Sequence, residues 1–302
     1  MSTILADISA AQGKEIDFDV VAGSGLVSGS VCQASNGQTG RDQTFVRNFR
    51  ELGRVGLVRG AYHFAHCDGD DRDATLEADN FIAAIVGALS CGSADRILGV
   101  LGDEDIILAL DIETNNGTPK LPPGPKFVKW VLDWLTRVQE KTGITPFLYT
   151  GGPFFDLNDG GPDLVTMTVL AQYPLWLAAY VLNPRAFLPP EWMTAGYTMW
   201  QDSGDVAAYG KQLFHVPGIG GGKVNVDHDI YNGTLAELKT YLRYLAPRPA
   251  VAPVEHEPEH DDAPVEPAPY PLPIPEIHVT HESAQLSWLA VFIAWLLKLI
   301  GR

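Results

Sequence analysis

Cysteine and basic residues are scarce in this chain, and each shortage excludes a class of protein. The 302 residues include three cysteines, an odd number without the spacing of a metal site or a disulfide framework, which indicates synthesis in a reducing compartment. Lysine and arginine number 21 against 37 acids. The resulting net charge of −16 argues against nucleic acid as a partner, because phosphates would be repelled.

The start of the chain also lacks the pattern of a secretory signal. Residues Met1 to Asp7 contain no basic region followed by an apolar stretch. We therefore expect synthesis in the cytoplasm without a signal peptide.

Composition changes sharply after Ala246. Residues 247–283 contain ten prolines, eight acids and a single base, which predicts an extended, disordered linker. Residues 286–300 are the most hydrophobic stretch of the chain, but as a helix they span only about 22 Å against about 30 Å of hydrocarbon. A membrane anchor, burial in a partner and packing on the chain's own domain all stay open, and we favour the anchor. The predicted organisation is a globular domain at 1–246, a linker at 247–283 and a hydrophobic helix at 284–302.

Short apolar runs alternate with helical patterns before the linker. The runs predict eight strands, at 3–9, 29–34, 57–64, 106–113, 145–150, 175–180, 197–201 and 224–230. Amphipathic periods predict helices at 44–55, 74–89, 125–142 and 235–245. Strand–helix alternation with eight strands favours an α/β fold, an irregular (β/α) barrel with fewer helices in its last third. A doubly wound open sheet is the alternative.

The apolar run 106–113 ends in two acids, Asp111 and Glu113. In a strand this spacing places both side chains on one face, roughly 6.5–7 Å apart at their bases. Buried carboxylates cost desolvation energy, so they need partners or a function. Paired carboxylates at this kind of separation are the usual equipment for cleaving a glycosidic bond.

Further acids and aromatic residues occur at the ends of other predicted strands, which would meet at one rim of a barrel. The acids are Asp7 and Asp227. The candidate sugar-binding side chains are Tyr62, Tyr149, Trp176, Tyr180, Trp200 and Gln201. Aromatic faces stack on sugar rings while carboxylates do the chemistry, so this mixture suits a sugar polymer.

Seven short motifs occur in an order that resembles glycoside hydrolase family 25, the Chalaropsis-type lysozymes, which include many phage endolysins. The resemblance covers roughly residues 3–245, and its motifs are Ala6-Asp7-Ile8-Ser9, Gly60-Ala61-Tyr62-His63-Phe64, Leu110-Asp111-Ile112-Glu113, Pro146-Phe147-Leu148-Tyr149-Thr150, Leu175-Trp176-Leu177-Ala178-Ala179-Tyr180, Met199-Trp200-Gln201 and Val226-Asp227. The resemblance implies N-acetylmuramidase activity on bacterial cell-wall peptidoglycan, with no cofactor and no metal.

Carried over by motif, the resemblance also implies an acidic cluster with Glu113 as the proton donor. The cluster consists of Asp7, Asp111, Glu113 and Asp227. Two motifs depart from the family pattern. The usual Lys-Ala-Thr-Glu-Gly is Gln33-Ala34-Ser35-Asn36-Gly37 here, and the closing Asp-x-Asn is Asp227-His228-Asp229.

A general acid must hold a proton at neutral pH, and burial beside Asp111 would favour the protonated form of Glu113. A second carboxylate could stabilise the transition state directly. Alternatively, Asp111 could steady the acetamido group of the muramic sugar while that group attacks the anomeric carbon. The sequence leaves both routes open.

Two other functions are consistent with some of these residues. The first is a metal-dependent hydrolase or deacetylase acting on peptidoglycan or another polysaccharide. Suitable ligand types occur at Asp7, His63, His66, Asp111, Glu113, Asp227 and His228, but without an HExxH motif. The second is a barrel that binds glycan without cleaving it, and the intact pair of acids argues against it.

Overall fold

The structure, a computed structural model, describes residues 2–13, 15–68, 72–113, 124–152, 154–155, 164–204 and 213–247. The predicted linker, apart from Pro247, and the predicted hydrophobic helix at 284–302 lie outside the described residues. Within the described residues, no single helix is long and apolar enough to cross a membrane. One bent pair of segments, Asp73–Leu89 with Ala94–Leu101, meets the criteria of length and composition only.

The described residues form nine strands and seven α-helices. The strands are β1 (Thr3–Ile8), β2 (Gly29–Asn36), β3 (Gly40–Arg41), β4 (Val58–Phe64), β5 (Ile106–Asp111), β6 (Phe147–Gly151), β7 (Leu175–Ala178), β8 (Met199–Ser203) and β9 (Asp227–Tyr231). The helices are α1 (Phe18–Ser24), α2 (Phe45–Arg54), α3 (Asp73–Leu89), α4 (Ile97–Leu101), α5 (Pro125–Thr142), α6 (Leu164–Leu170) and α7 (Leu235–Leu245).

Eight of the strands close into a barrel. Neighbouring strands are parallel from β1 through β2, β4, β5, β6 and β7 to β8. Strand β9 pairs with both β8 and β1, and since β1 also pairs with β2, the sheet has no open end. The short strand β3 only extends β2 as a hairpin. The predicted barrel is therefore confirmed, and the open-sheet alternative is wrong.

The last strand runs against the direction that we expected. Strand β9 is antiparallel to both of its neighbours, so its first residue rather than its last lies at the rim where the other strands end. Asp227 still reaches this rim because it begins β9, directly opposite Asp7 near the end of β1. A short run of five residues carries no signal of strand direction, which is why the sequence could not reveal the reversal.

The opposite end of the barrel is closed by an apolar floor. Helix α7 places Leu238, Leu242 and Leu245 in the same buried cluster as Val58 and Phe147, the first residues of β4 and β6. The helix starts with a capping box between Thr234 and Glu237. Because the leucines recur at helical spacing, the apolar face predicted from sequence is the face that covers the barrel.

Helices become sparse in the last third, as predicted. Only short 3₁₀ turns, at Pro184–Phe187 and Pro190–Trp192, separate β7 from β8. Between β8 and β9 the described residues contain a single 3₁₀ turn, Gly220–Gly222.

Candidate active site

Strand register brings the predicted side chains to the interior of one rim. Asp111, Tyr149 and Trp176 are aligned across the parallel strands β5, β6 and β7. Asp7 and Asp227 are aligned across the antiparallel pair β1 and β9. Since aligned residues on neighbouring strands point to the same face, all five side chains converge at the mouth of the barrel.

Backbone hydrogen bonds hold the segment that carries Asp111 and Glu113 from both sides. The Ala65 amide donates to the Asp111 carbonyl at 2.9 Å, and the Ile112 amide donates to the Tyr149 carbonyl at 3.0 Å. The Thr150 hydroxyl donates to the Ile112 carbonyl at 2.8 Å. The chain therefore stays extended beyond the end of β5, and Glu113 lies half-buried two residues after the buried Asp111.

The site strongly disfavours negative charge. Burial raises the pKa of Asp111 well above its ordinary value, and the charges of Glu113 and Asp227 raise it further. Burial likewise raises the pKa of Asp7, together with the charges of Asp227, Asp229 and Asp111, while a hydrogen bond from Tyr62 acts in the opposite direction. The rim thus favours the protonated form of these carboxyl groups, and a general acid must hold a proton before it can donate one.

Gln201 organises one side of the site. Its Oε1 accepts hydrogen bonds from the hydroxyls of Tyr149 at 2.7 Å and Tyr180 at 2.8 Å. With its oxygen engaged by two donors, the amide directs its Nε2 to Oδ2 of Asp227, 3.4 Å away. Gln201 is only 1% exposed. It therefore positions neighbouring side chains and presents almost no surface to a ligand, although the sequence suggested a sugar contact.

Asp229 is a buried acid of the site that the sequence analysis does not predict as a site residue. It lies on the same face of β9 as Asp227, and its Oδ1 accepts a hydrogen bond from Trp176 Nε1 at 2.9 Å. The signal was present in the sequence, because the spacing of Asp227 and Asp229 repeats that of Asp111 and Glu113. From the sequence alone, Asp229 is only a departure from the family motif.

Trp200 lies on the other face of its strand. It alternates with Met199 and Gln201, whose side chains point into the barrel, and it is aligned with Leu177. Its Nε1 donates to the Ala179 carbonyl at 2.7 Å. The geometry therefore does not bring Trp200 to the carboxylates, contrary to our expectation, because the two-residue period of a strand separates it from Gln201.

His63 also points away from the rim, into the layer between the barrel and the helices. Its Nδ1 is 2.8 Å from the Ser35 hydroxyl and its Nε2 is 2.7 Å from Glu77 Oε2. Its ring stacks on Trp134 with centroids 5.6 Å apart. Burial lowers the pKa of His63 to about 3 and raises the pKa of Glu77 to about 8. This neutral buried pair is part of the packing between β4 and α3.

Glu77 of this pair also belongs to a group of three carboxylates that are close enough to hold a cation. Ligand atoms from Asp68, Asp73 and Glu77 lie within 4.8 Å of one another. The oxygens of Asp73 already accept hydrogen bonds from the Gln38 amide, the Asp68 backbone and Trp130 Nε1. Hydrogen bonding within the protein therefore accounts for this cluster.

A closed (β/α) barrel with carboxylates gathered at one rim is the architecture typical of glycoside hydrolases. The family model of glycosyl hydrolases family 25 matches residues 6–210, and the chain belongs to this family. The resemblance noted in the sequence motifs is thereby confirmed.

Individual relatives are more distant. An uncharacterized protein, YegX, of Escherichia coli (strain K12) is 27% identical over 210 residues. These residues are 70% of this chain and 61% of that protein, so the match spans about three fifths of the relative. An N,O-diacetylmuramidase of Arthroderma benhamiae is 26% identical over 213 residues, 70% of this chain and 75% of the relative. A bacterial lysozyme from Streptomyces coelicolor has the same fold, with a TM-score of 0.64 at 23% identity, covering 82% of this chain and 99% of that structure.

Proposed function

We propose that this protein is a peptidoglycan muramidase that hydrolyses the β-1,4 bond between N-acetylmuramic acid and N-acetylglucosamine. The observation that carries the proposal is the placement of Asp111 and Glu113 at the barrel mouth, facing Asp7 and Asp227. Membership of family 25 and a relative named as a muramidase support it. The site of action is then the bacterial cell wall.

The roles of the two acids follow from their surroundings. Glu113 is half-buried at the open side of the rim, where it can donate a proton to the glycosidic oxygen. Asp111 is 7% exposed, and its Oδ1 has no hydrogen-bond partner among the described residues. We assign Asp111 to the acetamido group of the muramic sugar, whose oxygen attacks the anomeric carbon as the bond to the leaving oxygen breaks. Water then opens the resulting oxazolinium ring, and its proton returns to Glu113.

The other rim residues bind and orient the sugar. Asp7 and Asp227 are half-buried on the opposite wall, where a positive charge that develops on the sugar ring would favour the ionised form of their carboxyl groups and be stabilised by it. Tyr180 is half-buried beside Gln201 and offers an aromatic surface for a sugar ring, whereas Tyr62 is buried, with only 8% of its surface exposed.

Glu113→Gln tests the assignment of the acid. The substitution keeps the shape of the side chain but removes the transferable proton, so we expect kcat/KM to fall roughly 100- to 10,000-fold. The assay is mass spectrometry of borohydride-reduced fragments from purified peptidoglycan, in which a muramidase leaves muramic-acid reducing ends. The exposed Glu140→Gln on α5 is the matched control. Near-normal activity of folded Glu113→Gln would overturn the assignment, and products that end in glucosamine or free stem peptides would overturn the proposed reaction.

We also propose that residues 247–283 tether the barrel and that 286–300 contact a membrane. The support is compositional: a proline-rich acidic segment is followed by an apolar stretch with two tryptophans and a basic end. A tether would raise the concentration of the barrel near the wall. Membrane fractionation of the full chain against a chain ending at Ser283 tests this. If both forms stay equally soluble and monodisperse, the anchor is ruled out.

A further inference from the structure

Asp229 is fully buried, yet its carboxyl group is only half satisfied. Oδ1 accepts the hydrogen bond from Trp176, whereas Oδ2 has no hydrogen-bond partner among the described residues. A carboxylate that is ionised and cut off from water needs acceptor contacts on both oxygens, and an orphaned buried oxygen costs free energy. A protonated carboxyl group avoids the larger cost of a buried charge, and its carbonyl oxygen still accepts the hydrogen bond from Trp176.

The charged groups around Asp229 act in the same direction. Asp227 precedes it by two residues on β9, Asp202 approaches from β8, and Asp7 faces it from β1. Burial raises the pKa of Asp229 well above its ordinary value, and the charges of Asp227 and Asp202 add to this, while the hydrogen bond from Trp176 opposes it. Burial is the largest of these effects, so the neutral form is favoured.

The partners of the neighbouring acid differ from those of Asp229. Asp227 is half-buried at the rim, and the Nε2 of Gln201 is directed at its Oδ2. The two tyrosine hydroxyls on Gln201 Oε1 fix this orientation of the amide. The two carboxyl groups on one strand face therefore differ in exposure, since Asp229 is fully buried and Asp227 is half-buried at the rim.

We propose, on the basis of the muramidase function proposed above, that Asp229 is a positioning residue that stays protonated in the folded enzyme. Its carbonyl oxygen holds Trp176 in the interior of the barrel. Its proton removes a negative charge from beside Asp227, the member of the β9 pair that lies at the rim. The family motif has asparagine where this chain has Asp229, and a protonated aspartic acid has the same shape and offers the same carbonyl acceptor.

Two variants separate protonation from packing. Asp229→Asn keeps a carbonyl acceptor for Trp176 and mimics the neutral acid. Asp229→Leu keeps a similar volume but leaves the indole N–H without an acceptor. Both are made in the full chain, and near-ultraviolet circular dichroism verifies that each is folded.

Infrared difference spectroscopy of folded wild type minus Asp229→Asn measures the protonation state directly, without any need for activity. We expect the C=O stretching band of a protonated carboxylic acid at neutral pH, lost in the variant. Carboxylate bands in its place would show that Asp229 is ionised and would overturn the proposal. If the acid band is present but the protein releases no muramic-acid ends, the proposed function fails and the protonation stands.

The positioning role has its own readouts. In ¹⁵N–¹H spectra, the indole signal of Trp176 should stay near its wild-type position in Asp229→Asn and move in Asp229→Leu. On peptidoglycan, Asp229→Leu should have a kcat roughly 5- to 150-fold below that of Asp229→Asn, the loss expected for an unmet buried donor, with KM changed less. Identical indole signals and equal kcat values in the two variants would refute the positioning role.

Discussion

Glu77→Gln should change how the stability of the barrel depends on pH while leaving the acidic rim intact. Glu77 lies in the layer between β4 and α3, 2.7 Å from His63 Nε2, and it accepts the His66 backbone N–H at 3.1 Å. Glutamine can make both contacts, donating to the imidazole through Nε2 and accepting through Oε1. We therefore expect the variant to fold and to differ from wild type only in proton uptake.

The magnitude follows from two opposing shifts. The pKa of Glu77 is raised from 4.5 to about 8, so the folded protein keeps a proton that the unfolded chain releases, and stability falls with rising pH across this window. The pKa of His63 is lowered from 6.5 to about 3, so stability is gained as pH rises between these values. In wild type the two contributions cancel between pH 4.5 and 6.5. Above that, stability falls by about 2 kcal/mol up to pH 8, at about 1.4 kcal/mol per pH unit.

In Glu77→Gln only the contribution of His63 remains. The unfolding free energy of the variant should therefore gain about 3 kcal/mol on wild type between pH 5 and pH 7, because the difference grows by about 1.4 kcal/mol per pH unit. Contributions of the acids at the rim are the same in both proteins and cancel in the difference.

Urea unfolding of the full chains at pH 5, 6 and 7, monitored by tryptophan fluorescence, measures this difference. The exposed Glu140→Gln serves as the control for loss of a carboxylate and should run parallel to wild type. If the curves for Glu77→Gln and wild type are parallel with equal m values, the folded protein holds no extra proton at Glu77 and the reasoning fails.

Four further substitutions test the site and its support. Gly204→Ala would place a Cβ 2.7 Å from the Tyr180 hydroxyl and 3.4 Å from Asp227 Oδ1, so kcat/KM for release of muramic-acid ends should fall. Gly87→Ala would place a Cβ with no atom within 4 Å, so it should stabilise α3 by about 0.5–1 kcal/mol. Tyr149→Phe removes one of the two donors to the oxygen of Gln201. It should lower the unfolding free energy by about 1 kcal/mol in urea titrations and also reduce kcat. An unchanged kcat would contradict the role of the hydrogen bonds around Gln201. Thr234→Ala removes the cap of α7 and should cost about 1 kcal/mol in the same titrations with activity retained.

Much of the fold could be predicted because local patterns agree with the tertiary structure. Helix α5 was predicted with the correct bounds: proline occupies its first turn, Trp130 and Trp134 repeat at helical spacing on its buried face, and Gly143 follows in a left-handed conformation. The pairing of Asp111 with Glu113 was equally local, since it needs only the two-residue period of a strand.

Features that depend on neighbours in space could not be predicted. The reversal of β9 is a matter of topology, and no residue within it encodes direction. The face of Trp200 depends on the pairing register of β8, because a shift of one residue in that register moves each side chain of the strand to the opposite face of the barrel. Glu77 occupies an ordinary position in a helical pattern, and only the fold places it against His63.

Closure of the barrel by an antiparallel last strand also constrains synthesis. Of the barrel strands, β1 leaves the ribosome first, but one of its two neighbours, β9, leaves last. Until residues 227–231 have emerged, the nascent chain is an open sheet with β1 and β8 as exposed edges, which are templates for aggregation. Asp7 can lie opposite Asp227 only after residue 227 has been synthesised, so the acidic rim is complete only then. Chains that terminate before Asp227 should therefore accumulate as insoluble material, with no partially active form.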